Sequence, residues 1–225
     1  MKQTRAIAID GPAGAGKSTI AKLVSDRLGY CYVDTGAMYR SIALVLLRNG
    51  AIEGEQPERI KELLEGSRLA VRYIDGVQHM FLGEEDVSTA IRAEEVGTAA
   101  SKISVFPEVR SFLVALQRDL AARMNVVMDG RDIGSNVLTD AKTKIYLTAS
   151  VETRAKRRLL QLEQAGVQAE LTVIAADIRQ RDERDMTRAL NPLVQAEDAV
   201  LVDSSDMTVE EVVERIVALA TKERE

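Results

Sequence analysis

The sequence predicts an α/β fold in which helices cover both faces of a five-stranded parallel sheet, with a small antiparallel insert and a late pair of helices joined by an exposed turn. Two observations carry that expectation. Short runs rich in β-branched residues recur along the chain, apolar on both alternations and separated by stretches of helical period, as strands buried on both faces require. A glycine-rich loop sits between the first run and the helical stretch after it. The insert rests on a third observation, a change to strict alternation around Asp75-Gly76.

The strands are expected at Ala6–Ile9, Tyr30–Val33, Asn125–Met128, Lys144–Leu147 and Ala199–Val202. Asp or Thr follows them, at the carboxyl ends where open α/β sheets place ligands. From Leu69 to Leu82 the residues alternate on either side of Asp75-Gly76, the strongest short hairpin signal. Gly66 to about Ile103 is accordingly expected to form the antiparallel insert. A segment from Arg154 to about Thr172, centred on Gly166, reads as two helices joined by an exposed turn. Val209 to Leu219 is amphipathic and predicts a closing helix packed on the sheet.

Composition bounds the function. The chain has 225 residues, 46% hydrophobic and 29% charged, as expected of one globular domain carrying small insertions. Aromatics make up 4% and Trp is absent, so aliphatic residues must build the core. A net charge of −5 argues against a nucleic-acid duplex or an anionic membrane as partner. The single cysteine, Cys31, lies in an apolar run and suits a reducing, cytoplasmic setting. No apolar stretch approaches the ~20 residues of a membrane span, and the N-terminal one is too short for a signal peptide. His79, the one histidine, excludes a histidine-based triad or metal cluster and reads as a surface or packing residue.

Gly11-Pro12-Ala13-Gly14-Ala15-Gly16-Lys17-Ser18 fits G-x-x-x-x-G-K-S/T between a strand and a helix. Glycines let successive amides converge on phosphate oxygens, and the helix N-terminus adds partial positive charge. Lys17 is expected at the β- and γ-phosphates of ATP and the Ser18 hydroxyl on magnesium, with Asp34 or Asp129 as a further magnesium partner. No N-K-x-D guanine signature occurs, and no acidic residue directly follows Asp129 to activate a water. Both features favour phosphoryl transfer to a bound acceptor over hydrolysis or switching.

A phosphate acceptor crowds negative charge, which planar guanidinium forks answer best. Three segments provide them: Asp34-Thr35-Gly36-Ala37-Met38-Tyr39-Arg40, Asp129-Gly130-Arg131-Asp132, and Arg181, Asp185 and Arg188 at i, i+4 and i+7 of one helix face. Periodicity alone favours reading that last stripe as solvated ion pairs. Asp34 and Asp129 could also be turn or helix caps, and Arg154 to Arg158 a solvated basic face.

With the glycine-rich loop, these segments and Arg181-Asp182-Glu183-Arg184-Asp185-Met186-Thr187-Arg188 resemble bacterial cytidylate kinase, a branch of the P-loop nucleoside monophosphate kinases. The resemblance runs from Gly11 to Arg188, and the insert is similar to that family's enlarged monophosphate-binding region. Where some members have Gly, this chain carries Ser18, which fits magnesium binding. The resemblance implies a three-layer P-loop fold and ATP-dependent conversion of CMP and dCMP to CDP and dCDP in pyrimidine metabolism. It implies that Thr35, Arg40, Arg131 and Arg188 surround the acceptor phosphate, that Ser101, Arg110 and Asp132 read cytosine, and that Arg181 and Asp185 hold the ribose. Ser101 is the least supported of these by its own setting. Arg154, Lys156, Arg157 and Arg158 would belong to a lid that closes over ATP. Lys17, Arg131, Arg188 and Arg157 would act in catalysis, and Thr19 and Arg158 would contact the donor nucleotide. A monomer acting on small nucleotides is expected. The competing readings are a kinase of another small molecule, such as UMP or shikimate, and a nucleotide-dependent binding module.

Overall fold

A computed structural model describes residues 4–52, 56–164 and 166–222. The parallel sheet contains β1 (Ala6–Asp10), β2 (Cys31–Asp34), β6 (Val126–Gly130), β7 (Thr143–Thr148) and β8 (Val200–Asp203), in the order β2-β6-β1-β7-β8. Each expected strand is present, so the double-sided apolar pattern was a sound guide.

That pattern divides the core in two. Ala8, Val33, Val126 and Met128 point to one face, under α2 (Thr35–Arg48) and α5 (Pro107–Arg123). Ile7, Ile9, Val127 and Val202 point to the other, under α1 (Lys17–Leu28) and the closing helix α8 (Val209–Lys222). Adjacent strand residues thus serve opposite layers, as a pleat of period two demands.

After α3 (Pro57–Gly66), the segment expected as the insert, Gly66 to about Ile103, carries β3 (Leu69–Ile74), β4 (Val77–Leu82), the two-residue β5 (Glu85–Asp86) and α4 (Glu94–Ile103). Asp75 and Gly76 both have positive φ, 50° and 77°, and Ile74 pairs with Val77 across them. This is the tight primed turn expected of Asp-Gly. The hairpin meets the parallel sheet through side chains. Tyr73 donates its hydroxyl to the Tyr32 carbonyl at 2.9 Å, while the Gln78 amide accepts from Asp34 N (2.8 Å) and donates to Asp34 O (3.2 Å).

Around Gly166, α6 (Val151–Gln164) and α7 (Leu171–Thr187) form a helix pair with its own small core of Ala155, Ile174 and Ile178. The pair extends well past Thr172, so α7 reaches from the exposed turn to the site. No helix among the described residues is long and apolar enough to cross a membrane.

Candidate active site

One cavity of about 740 Å³ opens at the carboxyl end of the sheet, bounded by the glycine-rich loop, the start of α2, the segment after β6, and α6 with α7. Its floor is set by β1. Gly11 follows the strand with φ 149°, where a Cβ would lie 1.9 Å from the Leu147 carbonyl oxygen, so only glycine lets the loop leave there. Gly14 and Gly16 follow in left-handed conformations. Gly16 caps α1 without any side-chain hydrogen bond, which leaves the first amides of the helix directed at the cavity. Ala13, Gly14, Gly16, Lys17, Ser18 and Thr19 line the cavity, whereas Gly11, Pro12 and Ala15 are buried behind it.

The Lys17 ammonium is buried and donates to the Pro12 carbonyl at 2.7 Å. Burial, reinforced by repulsion from Arg131, holds its pKa well below the usual lysine range. Ser18 donates to Asp129 Oδ2 at 2.9 Å, and Tyr32 donates to Asp129 Oδ1 at the same distance. Burial first, then the nearby Asp34 charge, pushes the Asp129 carboxyl up to about 6. Asp34 is differently engaged. Its Oδ1 caps α2 by accepting from Ala37 N at 2.8 Å, and its Oδ2 pairs with Arg92 at 3.3 Å. Of the two metal-site candidates, Asp129 is therefore the one bonded to Ser18, while Asp34 does the work of a helix cap.

The opposite wall gathers the arginines. Thr35 donates to the Asp129 carbonyl at 2.6 Å, tying the start of α2 to β6. Arg40 reaches across from α2 to α4, where the absence of a side chain on Gly97 gives it room: a Cβ there would stand 2.8 Å from Arg40 Nη1. Arg131 Nε meets Asp185 Oδ2 at 2.7 Å. Asp132 is buried between two guanidiniums, with Arg110 on Oδ2 and Arg188 on Oδ1 at 3.1 Å. The stripe on α7 is thus no solvated face: Asp185 is buried, and Arg181 and Arg188 line the cavity. Ser101 lines it too, with its carbonyl taken by the Ser104 hydroxyl.

Burial lowers the pKa of Arg40, Arg181 and Arg188 from the ordinary arginine value. Neighbouring guanidiniums push the same way: Arg92 on Arg40, Arg131 on Arg181, and Arg110 on Arg188. Several half-buried like charges facing one space form a site whose repulsion an anion relieves.

The basic run on α6 divides. Arg157 and Arg158 line the cavity, with Arg157 also donating to the Ser204 carbonyl at 2.8 Å. Lys156 is exposed and outside the lining. Arg154 departs from the expectation of a mobile lid charge. It is 4% exposed and fastened to Ala149 O, Ala13 O and the Asp182 carboxylate, because the first turn of α6 points it inward beneath the loop.

Three features of the site had no sequence motif to announce them. Tyr32 gains its role only because β2 lies beside β6. Asp10, at the end of β1, accepts from Ile133 N (2.8 Å) and Gly134 N (2.7 Å), and so anchors the turn after Asp132. Arg92 enters the cavity wall from the insert.

Among known proteins, the family model described as Cytidylate kinase matches residues 7–222. The chain is 49% identical over 216 residues to the cytidylate kinase of Caldicellulosiruptor saccharolyticus, covering 96% of this chain and 95% of that one. It is 48% identical over 219 residues to the cytidylate kinase of Desulfitobacterium hafniense, covering 97% and 94%. Among solved structures, an uncharacterized protein from Eubacterium ventriosum shares the fold at 14% identity and a TM-score of 0.52, with 98% and 99% of the two chains covered.

Proposed function

The chain belongs to the cytidylate kinase family, and on that premise we propose that it transfers the γ-phosphoryl group of ATP to CMP and dCMP, as a cytoplasmic monomer of pyrimidine nucleotide metabolism. The observation that carries the reading is a single cavity with two unlike ends. One end has the loop, Lys17 and the Ser18–Asp129 pair; the other has Arg40, Arg131, Arg181 and Arg188, with Asp132 buried between Arg110 and Arg188.

Donor phosphates fit the loop amides and the α1 N-terminus, with Lys17 reaching the β- and γ-phosphates. A hydroxyl and a carboxylate bonded to each other, Ser18 and Asp129, are hard oxygen donors that suit magnesium. When bound there, magnesium supplies positive charge to the donor phosphates. The acceptor phosphate fits between Arg40, Arg131 and Arg188 beside Thr35, and the ribose hydroxyls between Arg181 and Asp185. An oxygen of the acceptor phosphate attacks the γ-phosphorus in line. The bond to the bridging oxygen breaks, and ADP leaves as the anion. Since the nucleophile is already an anion, no general base is required. Arg157 and Arg158, on the α6 wall, add charge to the migrating group.

Asp132 and Arg110 present an acceptor and a donor to the base. Cytosine offers an amine beside ring acceptors, which complements them, whereas uracil would set an oxygen against the Asp132 carboxylate. An unpaired buried polar group costs about 1–3 kcal/mol, so CMP should be favoured over UMP roughly ten- to a hundredfold in kcat/KM. A panel of nucleoside monophosphates with ATP in a coupled ADP-release assay tests this. UMP turnover equal to or above that of CMP refutes the cytosine reading.

A further inference from the structure

Arg154 joins elements that the proposed reaction must hold in register. Its Nε donates to the carbonyl of Ala149, the residue after β7 (Thr143–Thr148), at 2.9 Å. Its Nη1 donates to the Ala13 carbonyl on the crest of the glycine-rich loop at 2.9 Å, and lies 2.7 Å from Asp182 Oδ2 on α7. The stem of the side chain runs against the loop as well, since a Cβ on Gly14 would lie 3.5 Å from Arg154 Cβ. Both charged partners are almost fully buried, Arg154 at 4% exposure and Asp182 at 7%.

The far side of this contact is the acceptor half of the cavity. Asp182 follows Arg181 directly and precedes Asp185 by one turn of α7, and Asp185 holds Arg131 at 2.7 Å. Two ion pairs joined by one turn of α7, Arg154–Asp182 and Arg131–Asp185, therefore lead from the Ala13 carbonyl to Arg131. The ion pair is also incomplete. It uses one carboxylate oxygen, and Asp182 Oδ1 has no hydrogen-bond partner among the described residues. A shift of α7 relative to the loop could convert this single-point contact into a two-point fork, a discrete alternative of the kind that coupling between sites requires.

We infer that Arg154 is a positioning residue that couples the two nucleotide subsites, so that filling the glycine-rich loop changes acceptor affinity through the Arg154–Asp182 pair. The inference rests on the functional reading above. Because coupling free energy is reciprocal, the acceptor changes donor affinity by the same factor.

Calorimetry on the full chain tests it, with the CMP dissociation constant measured with and without a saturating nonhydrolysable ATP analogue. The wild type should show a coupling factor of about 5 or more, within the usual range for linked sites. Arg154→Lys keeps charge but not the three-way reach, and Asp182→Asn keeps the shape but not the charge. Both variants should bring the factor down at least threefold, while the analogue alone binds within about threefold of its wild-type affinity. A wild-type factor of one overturns the inference. So does an unchanged factor in both variants with a lowered melting temperature, which would make Arg154 a structural brace only. In the wild type, analogue binding alone should also slow amide exchange in α7, and unchanged exchange there overturns the inference whether or not the variants fold. If the wild type binds neither CMP nor the analogue on its own, the functional reading itself fails.

Discussion

The buried carboxylates set the behaviour of individual residues in the site. Burial, opposed by the Gly134 and Ile133 amides, raises the Asp10 carboxyl from 3.8 to about 6. The folded chain therefore holds that proton more tightly than the unfolded one, so this group's contribution to stability falls as pH rises from about 4 to about 6. A rise of that size corresponds to about 3 kcal/mol, an order-of-magnitude figure. Asp10→Asn should thus flatten the pH dependence of stability across that window, measured by urea unfolding at pH 4.5 and pH 7. It should also lose the bond to one of the two amides, because an amide side chain accepts at only one end. An undiminished slope in the variant would assign the pH dependence to other groups, Asp129 first among them. Arg188→Met removes one of the two guanidiniums on Asp132 and one expected phosphate contact. Charged hydrogen bonds contribute about 1.5–3 kcal/mol, so KM for CMP should rise roughly 10- to 100-fold with KM for ATP nearly unchanged. Equal losses for both substrates would place Arg188 outside the acceptor half. Asp10 and Tyr32 show why part of the site was illegible in sequence. Each is a single residue in an apolar run, and its partner lies about a hundred residues away across the sheet. Arg131, Asp132 and Arg188 stood in motifs, and their grouping could be anticipated.

At the scale of elements, α2 depends on how it begins. Asp34 accepts from Ala37 N, Gln78 brackets the Asp34 backbone, and Thr35 bonds β6. Losing the cap in Asp34→Ala should cost about 1 kcal/mol, or a melting point lower by about 2–4 °C for a chain of this size. Asp34→Asn retains a capping oxygen and should restore most of that loss in scanning calorimetry. It should also leave the magnesium concentration for half-maximal rate unchanged, and a several-fold increase would make Asp34 a metal ligand after all. Strands and the hairpin were readable here because pleat period and Asp-Gly turn chemistry are local. The destination of the basic run on α6 was not. Arg154 and Arg157 differ by three positions and both border the cavity, yet one is fastened and buried under the loop while the other is only half-buried, a distinction that only the packing of α6 on α7 decides.

Over the whole molecule, the insert shares the core of one sheet face, with Met80, Ile91 and Val96 in the same cluster as Val33 and Met128, while the helix pair keeps a small core of its own. Ligands that bridge these parts should stabilise the fold as one unit. ATP with magnesium at a hundredfold excess over its dissociation constant contributes about 2.7 kcal/mol to stability, and the melting temperature should rise by roughly 5–10 °C. A rise equally large with ATP and excess chelator would remove magnesium from the site. The layered order was legible because the runs on each strand are apolar on both faces. The closeness of α7 to the loop was not, since that contact depends on one buried ion pair between residues 28 positions apart.

The register between β1 and β6 has a dimensional consequence. Asp10, the last residue before the loop, pairs with Gly130, the last before Arg131. Neighbouring strands lie about 4.8 Å apart, so the two ends of the cavity grow from points separated by one strand spacing. The sheet thus acts as a fixed gauge for the gap that the phosphoryl group crosses. A slip of one strand by two residues would keep every side chain on its proper face and still misplace donor and acceptor by nearly 7 Å. Backbone hydrogen bonding, which no substitution of a single side chain can adjust, holds that gauge.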